Sequence, residues 1–173
     1  MVKFFFTGLL FWGIFLSPTA QNNQRITNFG IIKEKVDSNR FKMQYTIATT
    51  HHTFYLQPTT PYSDQNIRIA QGSAFVIIRD SIAAGYLPYF GSGYSIPQTG
   101  NRGIIFSNTM QDLTRQTRGK GRRQSIFYQF SVVGKNDTYK LSIDIRHDGT
   151  CYLFINSLKR SPISYTGQIV EQG

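Results

Sequence analysis

Residues 125–156 read SIFYQFSVVGKNDTYKLSIDIRHDGTCYLFIN, and this stretch decides the fold class. Hydrophobic and polar side chains alternate in three runs, which are 125–133, 138–146 and 150–156. Alternation with a period of two is typical of half-buried strands. The two links between the runs, at 134–137 and 147–149, are short and rich in residues that tolerate positive φ. The stretch therefore predicts three consecutive antiparallel strands joined by tight turns.

Upstream of this stretch the strand candidates are shorter. Phe41, Met43, Tyr45 and Ile47 alternate with polar or small residues, which predicts a strand that buries these four side chains. Further candidates are 53–57, 66–70, 74–80 and 81–87. After residue 40, no run of ten or more residues keeps a helical hydrophobic stripe. We therefore expect a mainly β domain, an antiparallel β-barrel or barrel-like sandwich, without a parallel sheet.

One short helix is predicted before the first strand. Three apolar residues recur there at helical spacing, namely Phe29, Ile32 and Val36. Thr27 or Asn28 can cap the start, and the turn formers at 37–39 can end it. Such a short helix is stable only when its apolar stripe docks on the rest of the domain.

The first twenty residues are typical of a secretory signal peptide. Lys3 gives a positive start, residues 4–16 are mostly apolar, and Ala20 is a small residue at the exit. The apolar run is shorter than the ~20 residues of a membrane-spanning helix, although an uncleaved anchor is the alternative. We expect an exported protein, periplasmic, outer-membrane associated or secreted, divided into a signal peptide at 1–20, a polar segment with the short helix at 21–40, and one β domain at 41–173.

The chain is strongly basic, since 19 Lys and Arg against 9 Asp and Glu give a formal net charge of +10. Such a balance attracts anionic partners. Five cations are concentrated at Arg115, Arg118, Lys120, Arg122 and Arg123. Intervening glycines predict a flexible hairpin tip that projects into solvent. The tip is either a merely solvated loop or a contact site for anionic polymer or lipid headgroups. Without interleaved aromatics, sequence-specific nucleic-acid binding is not expected.

A second candidate binding segment is the aromatic string Pro88-Tyr89-Phe90-Gly91, followed by Tyr94. Its rings can stack on a sugar ring or line the mouth of a barrel. The other interpretation is a rigid turn whose aromatic side chains plug one end of the barrel, because Pro88 fixes φ and Gly91 frees it.

Catalytic and metal-binding signatures are weak. His51 and His52 are adjacent, so on a strand they point to opposite faces, and His147 lies in a predicted turn. The single cysteine, Cys151, falls within an apolar run, where we expect a buried and unreactive thiol. No nucleophile motif or zinc-ligand spacing is present. We therefore expect no metal, no cofactor and no enzyme, with an active site assembled from distant residues as the remaining alternative.

Four strings of the sequence resemble the domain of unknown function 4251 family: Leu87-Pro88-Tyr89-Phe90-Gly91 with Tyr94, Gly103 with Phe106, residues 134–139 (GKNDTY) and residues 160–167 (RSPISYTG). The resemblance covers approximately residues 36–170. It implies an exported protein of the Bacteroidetes group with a lipocalin-like antiparallel barrel. It implies no activity and no functional residues.

These observations favour a non-enzymatic binding or accessory domain. Its partner is either a small apolar ligand inside the barrel or an anionic surface at the basic tip. The alternatives are a structural or interaction protein of the cell envelope and an enzyme with a dispersed site.

Overall fold

The computed structural model describes residues 24–51, 64–91, 103–135 and 137–171. The elements within these ranges are helix α1 (Phe29–Asp37) and ten strands, β1 (Arg40–Thr50), β2 (Gln65–Arg68), β3 (Phe75–Arg79), β4 (Ile82–Leu87), β5 (Ile104–Thr109), β6 (Gln111–Arg118), β7 (Ser125–Val133), β8 (Thr138–Arg146), β9 (Thr150–Ser157) and β10 (Ile163–Val170). The expected signal peptide and the strand candidate at 53–57 lie outside the described residues. Within the described ranges, no helix combines the length and apolarity needed to cross a membrane.

The strands form a nearly closed antiparallel barrel, which confirms the predicted fold class. Their order is β5-β4-β3-β1-β10-β9-β8-β7-β6, and β2 pairs with β1 beside this path. The two ends of this order are β5 and β6, which follow each other in the chain. β5 pairs with β4, and β6 pairs with β7. A single bridge between Phe106 and Gly134 joins β5 to the end of β7. One stretch of chain, 104–118, therefore supplies both terminal strands, and the barrel nearly closes between them.

Large side chains of the protein itself occupy the barrel interior. The largest fully buried ones include Tyr45, Tyr128, Tyr139, Tyr165, Phe41 and Phe130. Their rings contact one another, as in the edge-to-face pair of Phe41 and Tyr128, whose centroids are 5.4 Å apart. The interior proposed for a small apolar ligand is thus taken up by the core.

The predicted three-strand meander is confirmed. β7 and β8 have the predicted bounds, and β9 extends one residue further. The inward-facing Leu141, Ile143 and Leu153 are fully buried. The helix is also confirmed, and Asn28 is its cap, because the Asn28 Oδ1 accepts hydrogen bonds from the backbone N–H of Gly30 at 2.9 Å and of Ile31 at 3.4 Å.

The prediction for β1 was wrong at Ile47. The register of β1 against β10 shifts between Tyr45 and Ile47, which is a β-bulge. Beyond the bulge, even-numbered rather than odd-numbered side chains of β1 point into the barrel. Ala48 is therefore buried, and Ile47 is 37% exposed. Strands β5 and β6 were not predicted. Every side chain of β6 is exposed, and the strand therefore carries no alternation of buried and exposed positions.

Candidate functional site

The basic segment forms the tip of the β6–β7 hairpin, as an ordered turn. Gly119 and Gly121 have φ values of 73° and 55°, in the left-handed region that glycine tolerates best. A Cβ on Gly119 would lie 2.2 Å from the carbonyl oxygen of Arg123, so the turn requires glycine there. Residues Gly121–Arg123 make one 3-10 turn, closed by a 3.1 Å hydrogen bond from the Gln124 N–H to the Gly121 carbonyl.

Four cations on this turn are exposed to solvent: Arg118, Lys120, Arg122 and Arg123. We call them the tip cations. Among the described residues, none of the four pairs with a carboxylate. Five other cations do so, namely Arg25, Lys33, Lys35, Arg40 and Arg115. The tip therefore concentrates positive charge that no described carboxylate offsets, at four of the five cations named from the sequence.

Arg115 belongs to the fold rather than to the tip. Its Nη1 donates hydrogen bonds to the carbonyl oxygens of Val36 and Asp37, both at 3.0 Å, and its Nε lies 3.6 Å from the Asp37 carboxylate. These carbonyls end helix α1, where a positive charge is stabilised by the helix dipole. Arg115 thus ties β6 to the helix.

Arg115 also lies beside a buried tyrosine of β7. Tyr128 is opposite Arg115 in the ladder, and its hydroxyl donates a 3.0 Å hydrogen bond to the Asn39 Oδ1. Burial raises the pKa of Tyr128 to about 12, and the charge of Arg115 acts in the opposite direction.

Two arginines near the tip stack on aromatic rings of the outer barrel face. The guanidinium carbon of Arg118 lies 4.0 Å from the ring centroid of Phe127, and that of Arg146 lies 4.4 Å from the ring centroid of Tyr152. Sequence analysis missed Arg146. The only signal available was its position at the end of the polar face of β8, next to a turn.

The aromatic string lies at the opposite end of the barrel. Tyr89 is 7% exposed, and its hydroxyl donates a 3.0 Å hydrogen bond to the Ser161 carbonyl. The Arg160 guanidinium lies 5.0 Å from its ring centroid. A Cβ on Gly91 would lie 2.6 Å from the Tyr89 hydroxyl. Tyr89 therefore plugs the barrel end, whereas Phe90 is 44% exposed and Tyr94 lies outside the described residues.

An open depression of ≈ 550 Å³ lies at the same end as this string. It is lined around the β7–β8 turn by Val133, Gly134, Lys135, Asp137 and Thr138, and after β9 by Leu158 and Lys159. Leu158 is 92% exposed, so this surface does not enclose a ligand.

A chain of hydrogen bonds on the outer face joins three residues that the sequence did not connect. The His51 Nε2 lies 2.8 Å from the Ser164 Oγ, and the His51 Nδ1 lies 3.2 Å from the Asp64 Oδ2. The order Asp–His–Ser is the one that activates a serine nucleophile. Ser164 is 113 residues from His51 in sequence, and only the pairing of β1 with β10 brings them together.

The remaining candidates for chemistry are metal-ligating side chains and the thiol of Cys151. No three His, Cys, Asp or Glu side chains are grouped there as metal ligands would be. Cys151 is fully buried, as predicted, and burial raises the pKa of its thiol. His52 lies outside the described residues.

Comparison with known proteins gives a family and a fold. The sequence model of a domain of unknown function, DUF4251, matches residues 23–169. The crystal structure of a DUF4251 family protein from Bacteroides eggerthii matches with a TM-score of 0.59 at 14% sequence identity, covering 82% of this chain and 86% of that chain. At this identity the likeness concerns the fold alone. No curated protein has a matching sequence.

Proposed function

Because the chain belongs to the DUF4251 family, whose name records no function, we propose from this chain's own residues that it is an exported, non-enzymatic binding domain. Its barrel is the scaffold, and the tip cations attach it to an anionic polymer or surface. The single observation that carries the proposal is the cluster of four exposed cations that have no carboxylate partner among the described residues.

The clustering distinguishes the tip from the rest of the surface. Exposed cations elsewhere are more dispersed: Arg68 and Lys140 stand singly on β2 and β8, and Arg79 lies opposite Arg40, whose charge is paired with Asp80. At the tip, the positive charges lie within residues 118–123 and repel one another. A bound anionic group offsets this repulsion, and an arginine fork contacts phosphate, sulfate or carboxylate through two parallel hydrogen bonds.

The proposed contact is electrostatic. Residues 118–124 contain no apolar side chain, so the tip has nothing to insert into a membrane interior. Exposed charges are screened over ~8 Å at physiological ionic strength. We therefore expect binding that weakens steeply with added salt.

Two probes test the proposal: dextran sulfate, and vesicles of phosphatidylcholine with phosphatidylglycerol. The tip variant, Lys120→Ser with Arg122→Ser and Arg123→Ser, should bind both more weakly by about 3 kcal/mol, roughly a hundredfold, at about 1 kcal/mol per cation near an anionic surface. A charge-matched control replaces Arg68, Arg79 and Lys140 with Ser. Equal losses in the two variants, or binding that ignores salt, would refute a specific role of the tip.

A second candidate function is hydrolysis of an acyl ester by Ser164. The observation that favours it is the hydrogen-bonded chain from Asp64 through His51 to Ser164. The His51 Nε2 is placed to take the serine proton, while Asp64 holds the ring in the tautomer that accepts it. Ser164 lies on β10, whose neighbours on both sides are paired strands, so the adjacent backbone N–H groups are used in the ladder. Among the described residues, no backbone N–H of the strands next to Ser164 is thus free for a developing oxyanion, and this candidate stands second.

A fluorophosphonate probe separates the two candidates. If Ser164 is activated, the probe should modify it covalently, and His51→Gln should abolish the labelling. Ser142 is the matched control, because it lies on the same outer face and is held by a 2.7 Å hydrogen bond from Gln129. Labelling of Ser164 no faster than that of Ser142 means that the three residues only tie the two ends of segment 51–64 to β10.

A further inference from the structure

Arg118 and Arg146 occupy matching positions on the outer barrel face. Arg118 ends β6, Arg146 ends β8, and both lie opposite Ser125 of the intervening β7. Adjacent strands are about 4.8 Å apart, which places the two arginine backbones ~10 Å from each other. Residues that are opposite in a ladder point to the same face, so both side chains leave the sheet on its outer side.

Both guanidinium groups are supported from below by a ring. Arg118 lies over Phe127 and Arg146 lies over Tyr152, at 4.0 Å and 4.4 Å from the ring centroids. Stacking restricts a long and otherwise mobile side chain while leaving N–H groups at the edge of the guanidinium plane. Part of the entropic cost of ordering these side chains is therefore offset before a ligand arrives.

We propose that Arg118 and Arg146 clamp two acidic groups of a linear acidic polysaccharide that runs from the tip cations onto the outer face of β7–β9. This inference rests on the proposed function and names the class of its partner. A flexible chain can follow the surface from the hairpin tip onto a convex sheet. Next to the clamp, Gln129 and Ser142 offer polar groups for sugar hydroxyls, and Phe154, at 41% exposure, offers an apolar surface for a sugar ring.

The same geometry leaves neither ring of the clamp open for a nucleic-acid base. Single-stranded nucleic acid binds by stacking its bases on open aromatic rings. The rings of Phe127 and Tyr152 are each covered by a guanidinium group, and the sheet lies beneath them. A charged sugar polymer needs the guanidinium edges instead.

One carboxylate opposes the proposed ligand. Asp144 of β8 lies in register between Phe127 and Tyr152, and thus between the two stacked pairs. No cation among the described residues pairs with it. Since like charges repel, its removal should strengthen the binding of an acidic polymer, whereas a merely structural role predicts no gain.

The experiment measures dextran sulfate binding, with uncharged dextran as the ligand control. Arg146→Gln should weaken binding roughly tenfold, as expected for the loss of a charge-assisted hydrogen-bonded contact. Arg146→Lys keeps the charge but loses the fork, and should still weaken it. Asp144→Asn should strengthen it severalfold. Arg79→Gln, a change of an exposed arginine on β3, should leave it unchanged.

The outcomes separate this inference from the proposed function. A tip variant that loses binding while Arg146→Gln keeps it overturns the clamp alone. A tip variant that binds like the parent overturns the proposed function. Absence of a gain in Asp144→Asn overturns the clamp even if Arg146→Gln destabilises the protein. Two results overturn the polysaccharide as the partner. One is oligothymidylate that binds more tightly than dextran sulfate and depends on Arg146. The other is an Arg146→Gln change that weakens binding to the anionic vesicles as much as binding to dextran sulfate.

Discussion

β6 and β8 are the two neighbours of β7, and they differ in which side chains they bury. In β8, buried and outward-facing side chains alternate along the whole strand. In β6, all eight side chains are exposed. Pairing with the same strand therefore does not make a strand part of the core. β8 is stabilised by the side chains it buries. β6 is held by its hydrogen-bonded ladder and by the contacts of Arg115 with α1, and its exposed side chains include charged ones.

The largest expected effect tests the β8 side of this contrast. Leu141→Ala should lower the free energy of unfolding by about 2–5 kcal/mol, because it leaves a cavity in the packed interior. Its neighbour Lys140 is exposed, and Lys140→Ala should cost about half a kcal/mol or less. Denaturant titration measures both. Equal costs would mean that the alternation of β8 does not determine its stability.

An intermediate effect concerns Tyr128, which lies between Arg115 of β6 and Ile143 of β8. Its pKa is raised from 10.0 to about 12 by burial, so the unfolded chain loses this proton at lower pH than the folded protein does. The stabilisation is therefore complete below pH 10 and is lost as the pH rises towards 12, by up to about 2–3 kcal/mol. Unfolding measured from pH 9 to 12 should show a shallower decline in Tyr128→Phe. Identical slopes in the two proteins would contradict this assignment.

The smallest effect tests the β6 side. Arg115→Ala removes the contacts with the end of α1 and should cost about 1 kcal/mol, because a charge at a helix C-terminus typically contributes about 0.3–1 kcal/mol and up to ~2 where it is partly buried. Arg118→Ala, on the same strand, removes no contact with the helix and should cost about half a kcal/mol or less. Thermal unfolding of the two variants compares them directly. If both cost the same, β6 is not anchored through Arg115.

The same contrast explains which parts of the structure could be predicted from sequence. β7, β8 and β9 were predicted because each buries one face, and burial leaves a period of two. β6 buries neither face, so its sequence shows no alternation of apolar and polar residues. The bulge in β1 was not predictable, since a local shift of register leaves Ile47 as apolar as the residues before it.

The candidate site was predicted in composition but not in arrangement. Arg115 and Arg118 are alike in sequence, and only the packing of α1 against the sheet assigns one to the fold and leaves the other exposed. Arg146 joins the candidate site because it and Arg118 both lie opposite Ser125. This register relates β6 and β8, which are not consecutive in sequence. The contact of His51 with Ser164 depends in the same way on the pairing of β1 with β10. Charge content is local information, whereas the position of a charge is set by long-range pairing.

β6 is the last strand of the described sheet order, and this position has a consequence for solubility. A terminal strand presents backbone hydrogen-bonding groups on which another extended chain can pair, which is a common start of aggregation. Two features of β6 oppose such pairing: the exposed charge of Arg118, and an irregular ladder near Asp112, whose φ is 51°. A second copy approaching edge to edge would meet both. The charge carried by this strand therefore also protects the protein from its own copies.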